Sequence, residues 1–492
     1  MAKYDVVIIG SGLGGLQCAF MLAKKGMKVC VLERNRVVGG CLQSFQRGGK
    51  TFDTGFHYIG GLDEGQHLHR LFKYFRLLDL PWVRLDDNCD DVCIDGKRYH
   101  IMTGHEAYAE SLTEYFPDQK ENIQRYTAFL KNVGDHIFDS LDVHCSDNFY
   151  SDSLFARSAK QFLHETIGNP VLRDVVSGTS LKMELAGNLP LYTFAQINDS
   201  FIRSAWRIEG GGSRIAEKLS EEVKIMGGEI RTCAAVSNLV ETDGLISAVE
   251  LEDGETIECQ NVISNAHPSY TLSLVKESKV LRHSYINRIK NLENTFGFFT
   301  ANISLKPETV EYLNKNLFIY ENADLWNFKG GKTDRILVSY YKPREGKYCQ
   351  NIDILTPMNW SEVEQWADKP IGKRGDSYVE MKKQKTNECV SLAAKYIPGL
   401  ENAVERYWAS TPISYNTYTK TVDGSAYGIR KDYTRSMFTV LTPYTPIKNL
   451  LLTGQNLNLH GILGVSMTSL FTCACLLGME TVEQEVLKPN LI

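Results

Sequence analysis

No stretch of this chain stays apolar for long. The roughly 18 residues that a membrane-spanning helix needs do not occur. The opening MAKYDVVIIG has neither the charged start nor the apolar middle of a signal peptide, so a cytoplasmic protein is expected. Charge of one sign is also missing. The 54 Lys and Arg face 59 Asp and Glu, a net charge of -5, with no basic tail or cluster. That argues against a nucleic-acid partner, whose phosphates call for a basic face. Paired cysteine spacing is absent too. Twelve cysteines are present, none as CxxC and none set beside histidines at zinc spacing, so all twelve read as free thiols and no metal site is expected. No internal repeat or low-complexity linker occurs. At 492 residues the chain exceeds one simple core, and two or three structural units follow.

What is present begins at once. Tyr4 to Ile9 is a short β-branched run that reads as a buried strand, and "GSGLGG" follows it. Leu16, Ala19, Phe20 and Ala23 then recur at helical spacing, Gly26 ends the helix, and "KVCVLE" is a second strand. This strand–helix–strand unit opens a doubly wound sheet. Gly10 permits the tight turn, Gly12 lets a pyrophosphate approach the backbone, and Gly15 lets helix and strand pack closely. Glu33 ends the second strand, 18 residues after Gly15, where an acid takes ribose hydroxyls. A second glycine pair, Gly39 and Gly40, follows the acid. A distant strand–glycine–helix, "NLLLTGQNLNLHGILG", adds amides near Gly464 and Val465. A cofactor held from both chain ends is better explained by extended FAD than by a nicotinamide.

From His69 to about Ala205 the pattern turns to long, charged, aromatic-rich helical segments. A strand-rich block begins near Trp206, with Asp-Gly turns at 243–244 and 253–254. The expected architecture is α/β: a Rossmann-like FAD-binding domain in three segments (1–68, 206–284, 441–492), interleaved with an α+β substrate domain (69–205, mostly helical, and 285–440).

"KTFDTGFHYIGG" (Lys50 to Gly61) starts like a strand and then crowds an acid, a hydroxyl, a glycine, a histidine and a tyrosine together. Asp53 and Thr54 suit a turn-stabilising role. His57 and Tyr58 are the candidates to supply a proton to a reacting carbon. Three other groups read as structural. Tyr415, Tyr418 and "GSAYG" (424–428) are expected in the core, and Lys182 and Glu184 in "SLKMELAGN" on a solvated face. His267 and His460 lie near cofactor loops without a second metal ligand.

"VVIIGSGLGG", "VLERNRVVGGCLQSF" and "FDTGFHYIG" resemble the flavoprotein superfamily of carotenoid desaturases, carotenoid isomerases and retinol saturases, related to the amine oxidases. "IEGGGSRIAEKL", "VISNAHP", "STPISYNTYTKTVDGSAYG" and "LLLTGQNLNLHGILG" follow in the same order, so the resemblance covers nearly the whole chain. Desaturases usually carry Gly-Gly-Arg where this chain has Gly39-Gly40-Cys41, and a proline two residues after the acid of the pocket segment. The resemblance is therefore to the retinol saturase branch, and it implies reduction of a carbon–carbon double bond in a lipophilic substrate. It further implies that Gly10, Gly12, Leu13, Gly14 and Gly15 contact the pyrophosphate, with Glu33 and Arg34 at the adenosine and Val236 meeting the adenine. Gly39, Gly40, Cys41 and Leu42 would follow the ribityl chain, with Tyr58, Ile59, Gly454, Gln455, Gly464 and Val465 at the flavin. No second glycine fingerprint names an electron donor. The substrate's solubility suggests peripheral membrane contact. A desaturase, isomerase or amine oxidase on the same scaffold, and a flavin-free escort factor, are the alternatives.

Overall fold

The computed structural model describes residues 3–142 and 149–488. Its first sheet is built around Tyr4–Ile9, which pairs in parallel with Val29–Leu32 on one side and with Thr256–Ser264 on the other. Glu229–Arg231 extends the parallel sheet beyond Val29–Leu32, and Leu450–Leu452 pairs with the far edge of Thr256–Ser264. Val6, Val7 and Ile8 are fully buried, as expected of a parallel strand covered on both faces. Helix Leu13–Lys24 covers one face, packed against helices Ser213–Ile225 and Gly461–Leu477. Because these strands come from three distant stretches, we propose that one nucleotide domain is assembled from 1–68, 206–284 and 441–492.

The Asp-Gly hairpin is built as its sequence asks. Thr242 pairs with Leu245, leaving Asp243 (φ 51°) and Gly244 (φ 84°) as a two-residue turn with both residues left-handed.

The second sheet has seven strands in the order Val404–Ser410, Gly297–Leu305, Asn351–Met358, Arg335–Tyr340, Asn316–Tyr320, Asn88–Ile94 and Lys97–Met102. Two of them fall within 69–205, which is otherwise mostly helical as expected, and add strands that the sequence reading did not place there. Asn88–Ile94 and Lys97–Met102 form a hairpin about Asp95-Gly96, again with both turn residues at positive φ. "NCDDVCI" conceals the strand because Asp90 and Asp91 interrupt the apolar pattern. Both are buried, and both are satisfied: Asn316 and Tyr58 donate to Asp90, while His100 and Lys315 hold Asp91. Helix Leu191–Arg203 closes one side of the central cavity with Gln196, Ile197, Ser200 and Phe201.

The eleven described cysteines are all free, and Cys145 lies outside the described residues. Among the described residues, no helix is long and apolar enough to cross a membrane.

Candidate functional site

A cavity of about 390 Å³ opens at the carboxyl ends of the parallel strands. This is the end at which open α/β sheets take their ligands. Its first half is made of glycine turns. Gly10, Gly12 and Gly14 line it from the first turn, Gly39 and Gly40 from the second, and Gly454 from the third. The turns are tied together: Gly12 and Gly39 form an isolated bridge, and Ser11 O accepts from Gly39 N at 3.0 Å. Asn265, unassigned by the sequence reading, holds the centre. A Cβ on Gly12, Gly14 or Gly454 would lie 2.7, 2.8 or 2.5 Å from its side-chain amide. Its one sequence signal is its place at the end of the apolar strand in "VISNAHP".

Gly15 does not line the cavity. A Cβ there would lie 2.1 Å from the Gly10 carbonyl oxygen, so its place is the tight contact of helix and strand. The other residues assigned to the cofactor all line the cavity: Leu13, Glu33, Arg34, Cys41, Leu42, Tyr58, Ile59, Val236, Gln455, Gly464 and Val465.

Two helix N-termini open on this space without a side-chain cap or an acid in the first turn. They are those of Leu13–Lys24 after Gly12 and of Gly461–Leu477 after His460. Their free amides and dipoles favour anionic or electron-rich ligand atoms. Glu33, 4% exposed, is held between the turns. Its Oε2 accepts from Ser11 N and Oγ at 3.0 and 2.5 Å, and its Oε1 from Asn35 N and Nδ2 at 2.8 and 2.9 Å.

The second half of the cavity is apolar, walled by Phe56, Phe201, Phe298, Tyr415 and Tyr427 among others. Tyr415, Tyr418, Ala426 and Tyr427 line the cavity; Tyr415 is buried as expected, whereas Tyr418 is 51% exposed and lies at the surface, not in the core. His57 lines this half. Burial first, then the charge of Arg207, lowers its pKa to about 4, so the imidazole is neutral at neutral pH. Its Nε2 is buried with no hydrogen-bond partner, and its Nδ1 lies 3.9 Å from Asp353 Oδ2. Asp353 accepts from Tyr341 Oη at 2.5 Å and Asn302 Nδ2 at 2.6 Å, yet burial raises its pKa to about 8. It therefore holds a proton at neutrality.

The Tyr58 ring walls the cavity, while its hydroxyl donates to Asp90 Oδ2 at 3.0 Å. Burial and that neighbouring acid push its pKa well above the usual value. Asp53 acts structurally: its Oδ1 accepts from Ser44 Oγ at 2.6 Å and Gly212 N at 2.8 Å, which pins the pocket segment to the second glycine-rich helix start.

Lys182 departs from the expected solvated face. A tight turn at Ser180–Lys182 directs it into the cavity, while Glu184 takes a bidentate bond from Arg430 at 2.8 and 2.9 Å. His460 lines the cavity and donates from Nε2 to the Lys182 carbonyl at 3.1 Å. His267 caps a helix, with its Nε2 on Asn294 Oδ1 at 2.9 Å. Among the described residues no group of three or more His, Cys, Asp or Glu could hold a metal ion.

The donors and glycine gaps of the first half fit an extended dinucleotide, and the apolar second half leaves room beside it for a second molecule. That is the working plan of an FAD-dependent oxidoreductase. A profile of the flavin containing amine oxidoreductases matches residues 13–302, more than half of the chain, and the protein belongs to this family. All-trans-retinol 13,14-reductase of Rattus norvegicus is 27% identical, over 96% of this chain and 86% of its own length. The chloroplastic prolycopene isomerase of Daucus carota is 23% identical, over 87% of this chain and 72% of its own. A putrescine oxidase solved with putrescine bound superposes with a TM-score of 0.65. It covers 96% of this chain and 99% of its own at 16% identity, a likeness of fold.

Proposed function

We propose that this enzyme reduces a carbon–carbon double bond of a retinoid- or carotenoid-like polyene. The observation that carries the proposal is the aromatic and aliphatic half of the cavity, joined directly to the glycine cradle. The relatives named for retinol and prolycopene support the substrate class. An amine substrate fits less well, because the buried cations Lys182 and Arg207 would repel an ammonium group. A flavin-free escort role would leave the glycine turns and the buried Glu33 without a ligand.

FAD, when bound, supplies two electrons and one hydrogen to the double bond. Gly10, Gly12, Leu13 and Gly14 would hold its pyrophosphate, and Glu33, Arg34 and Val236 its adenosine. Gly39, Gly40, Cys41 and Leu42 would hold the ribityl chain, and Gly454, Gln455, Gly464, Val465, Tyr58 and Ile59 the flavin. The second hydrogen arrives as a proton from His57 Nε2, and the protonated Asp353 behind Nδ1 refills the imidazole. Tyr58 serves as wall. A substrate of this kind is drawn from a membrane surface, and the neighbouring exposed side chains Met437 and Phe438 offer an apolar contact for it.

The direct test is anaerobic. FAD in the purified protein is reduced, excess reductant is removed, and all-trans-retinol or a carotenoid is added. The oxidised flavin band returns and the product gains two hydrogens by mass. If reduced flavin persists and the polyene instead bleaches oxidised flavin, the enzyme is a desaturase and this proposal fails.

His57→Phe is expected to slow turnover about 100-fold or more, the usual contribution of a placed proton donor, with the flavin retained. Tyr58→Phe should stay within about threefold, because it removes a hydroxyl that faces Asp90 and leaves the ring in place. Equal turnover in wild type and His57→Phe would remove His57 from the chemistry.

A further inference from the structure

Lys182 is an ammonium set where an apolar substrate is expected. Its Nζ lies 4.0 Å from the ring centroid of Phe201, 5.7 Å from that of Tyr58 and 5.8 Å from that of Phe318. Among the described residues the Nζ makes no hydrogen bond and feels Asp90 only through its charge, although an ammonium has three donors. Its carbonyl is fixed by His460, and the hydroxyl of Tyr427 donates to the adjoining Leu181 carbonyl at 2.6 Å, so the turn that carries it is held by two residues of the cavity wall.

The surrounding charges do not cancel. Lys182 and Arg207 both act on one buried carboxylate, Asp90. That carboxylate is already bonded by Tyr58 at 3.0 Å and by Asn316 at 2.8 Å. Arg207 spends its guanidinium on the Tyr340 and Lys315 carbonyls and on Asn316 Oδ1. His57 and His460 are neutral, since burial lowers both to about 4, and Asp353 holds its proton. Burial lowers the Lys182 pKa to about 8, which still leaves it charged at neutrality, and raises that of Asp90, so the two cations outweigh the anion. Arg207 leaves only its Nε unpaired, whereas Lys182, which borders the cavity, uses none of its donors. A buried ammonium without an acceptor is costly, whereas a charge-assisted bond to an anionic oxygen is among the strongest available.

We propose that Lys182 anchors a carboxylate at one end of the lipophilic substrate, so that the preferred ligand is a polyene acid and not the corresponding alcohol. The Phe201 and Tyr58 rings flank the adjoining carbons, and the chain of the substrate runs from the Lys182 anchor along the aromatic wall toward His57. The anchor rests on the reading of this cavity as a polyene site and adds to it the chemistry of the substrate's end.

Two ligand pairs test it on the FAD-loaded protein: all-trans-retinoic acid against all-trans-retinol, and palmitic acid against hexadecanol. Binding is followed by quenching of protein fluorescence and by the shift of the flavin band. The acid of each pair should bind about 10- to 100-fold more tightly than its alcohol, the range of a hydrogen bond to a charged group. Lys182→Met should bring each acid to the level of its alcohol, and Lys182→Arg should restore most of the preference, with flavin content and melting temperature unchanged in both. If Lys182→Met does not fold, Lys182→Gln carries the same expectation. Equal affinities within both pairs in the wild type, or a Lys182 variant that weakens acid and alcohol alike, would overturn the anchor. Acid preference in both pairs without reduction of any polyene would keep the anchor and overturn the polyene-reductase reading.

Discussion

Gly14→Val should purify without the yellow of bound flavin. An ideal Cβ at Gly14 lies 2.8 Å from Asn265 Oδ1 and 3.2 Å from both Gly454 Cα and Val465 Cγ1. Valine adds two methyls to that atom, at the one place where the first turn, the strand end at Asn265 and the C-terminal loop meet. The same Asn265 Oδ1 also lies 2.5 Å from the Cβ position of Gly454, so the side chain sits in close contact with both turns. The third turn must therefore move outward, and the cradle loses its spacing. Overpacking of this kind costs about 1–3 kcal/mol in stability, but the larger effect is on the cofactor, which needs all three turns at once. Wild-type protein should melt at a higher temperature when FAD is added, because a ligand for the native state stabilises it. The Gly14→Val melting temperature should not respond. Gly26→Ala is the control. It has positive φ and nothing within 4 Å of its Cβ position, so it should cost about 1 kcal/mol and keep the flavin band. A Gly14→Val protein with full flavin content would show that the cofactor lies elsewhere.

Arg207→Met is expected to cost about 3–5 kcal/mol in folding stability. Arg207 is 6% exposed and joins strand Ala205–Ile208 to the second sheet. It donates to Tyr340 O at 2.6 Å, Lys315 O at 2.8 Å and Asn316 Oδ1 at 2.7 Å. Methionine fills much of the volume and supplies none of the donors, so three buried acceptors lose their partner. Asp90 also loses one of the cations that favour its ionised form. Arg207→Lys should recover only part of the loss, because one ammonium does not reproduce the planar fork. Denaturant unfolding followed by fluorescence reads the change. A second readout separates this from general loosening: the Arg207 charge helps lower the His57 pKa, so His57 in Arg207→Met should titrate at a higher pH than in the wild type. A variant as stable as wild type would mean that the strand is held to the second sheet by other contacts of its own sheet, such as the bond from Asn314 Nδ2 to the Arg84 carbonyl.

The cofactor half of the site was legible because its requirements are local. A turn, a close approach and an uncapped helix start need particular residues at fixed spacing, and "GSGLGG" with Glu33 states them within one strand–helix–strand unit. Gly15 shows the limit of that reading. The motif assigns it to close helix–strand packing, which its position behind Gly10 matches, while the pyrophosphate contact that the resemblance implies is not reflected in the cavity lining. Asn265 went unassigned because its function lies in touching three glycines from two distant turns.

The substrate half was less legible, for the same physical reason in each case. Asp90 and Asp91 hid a buried strand, since a carboxylate reads as surface until its partners are known, and those partners lie on other elements. Lys182 reads as a solvated lysine for the same reason, and Asp353 gave no signal at all. By itself the sequence determined the α/β class, the glycine cradle, the buried acid and the family resemblance, since all of these are written in short-range sterics and periodicity. The tertiary structure alone decided which charges are buried together: Lys182 against Phe201, Arg207 beside Asp90, Asp353 behind His57. Burial, and with it protonation, depends on what the rest of the chain packs around a group, and no local spacing encodes that.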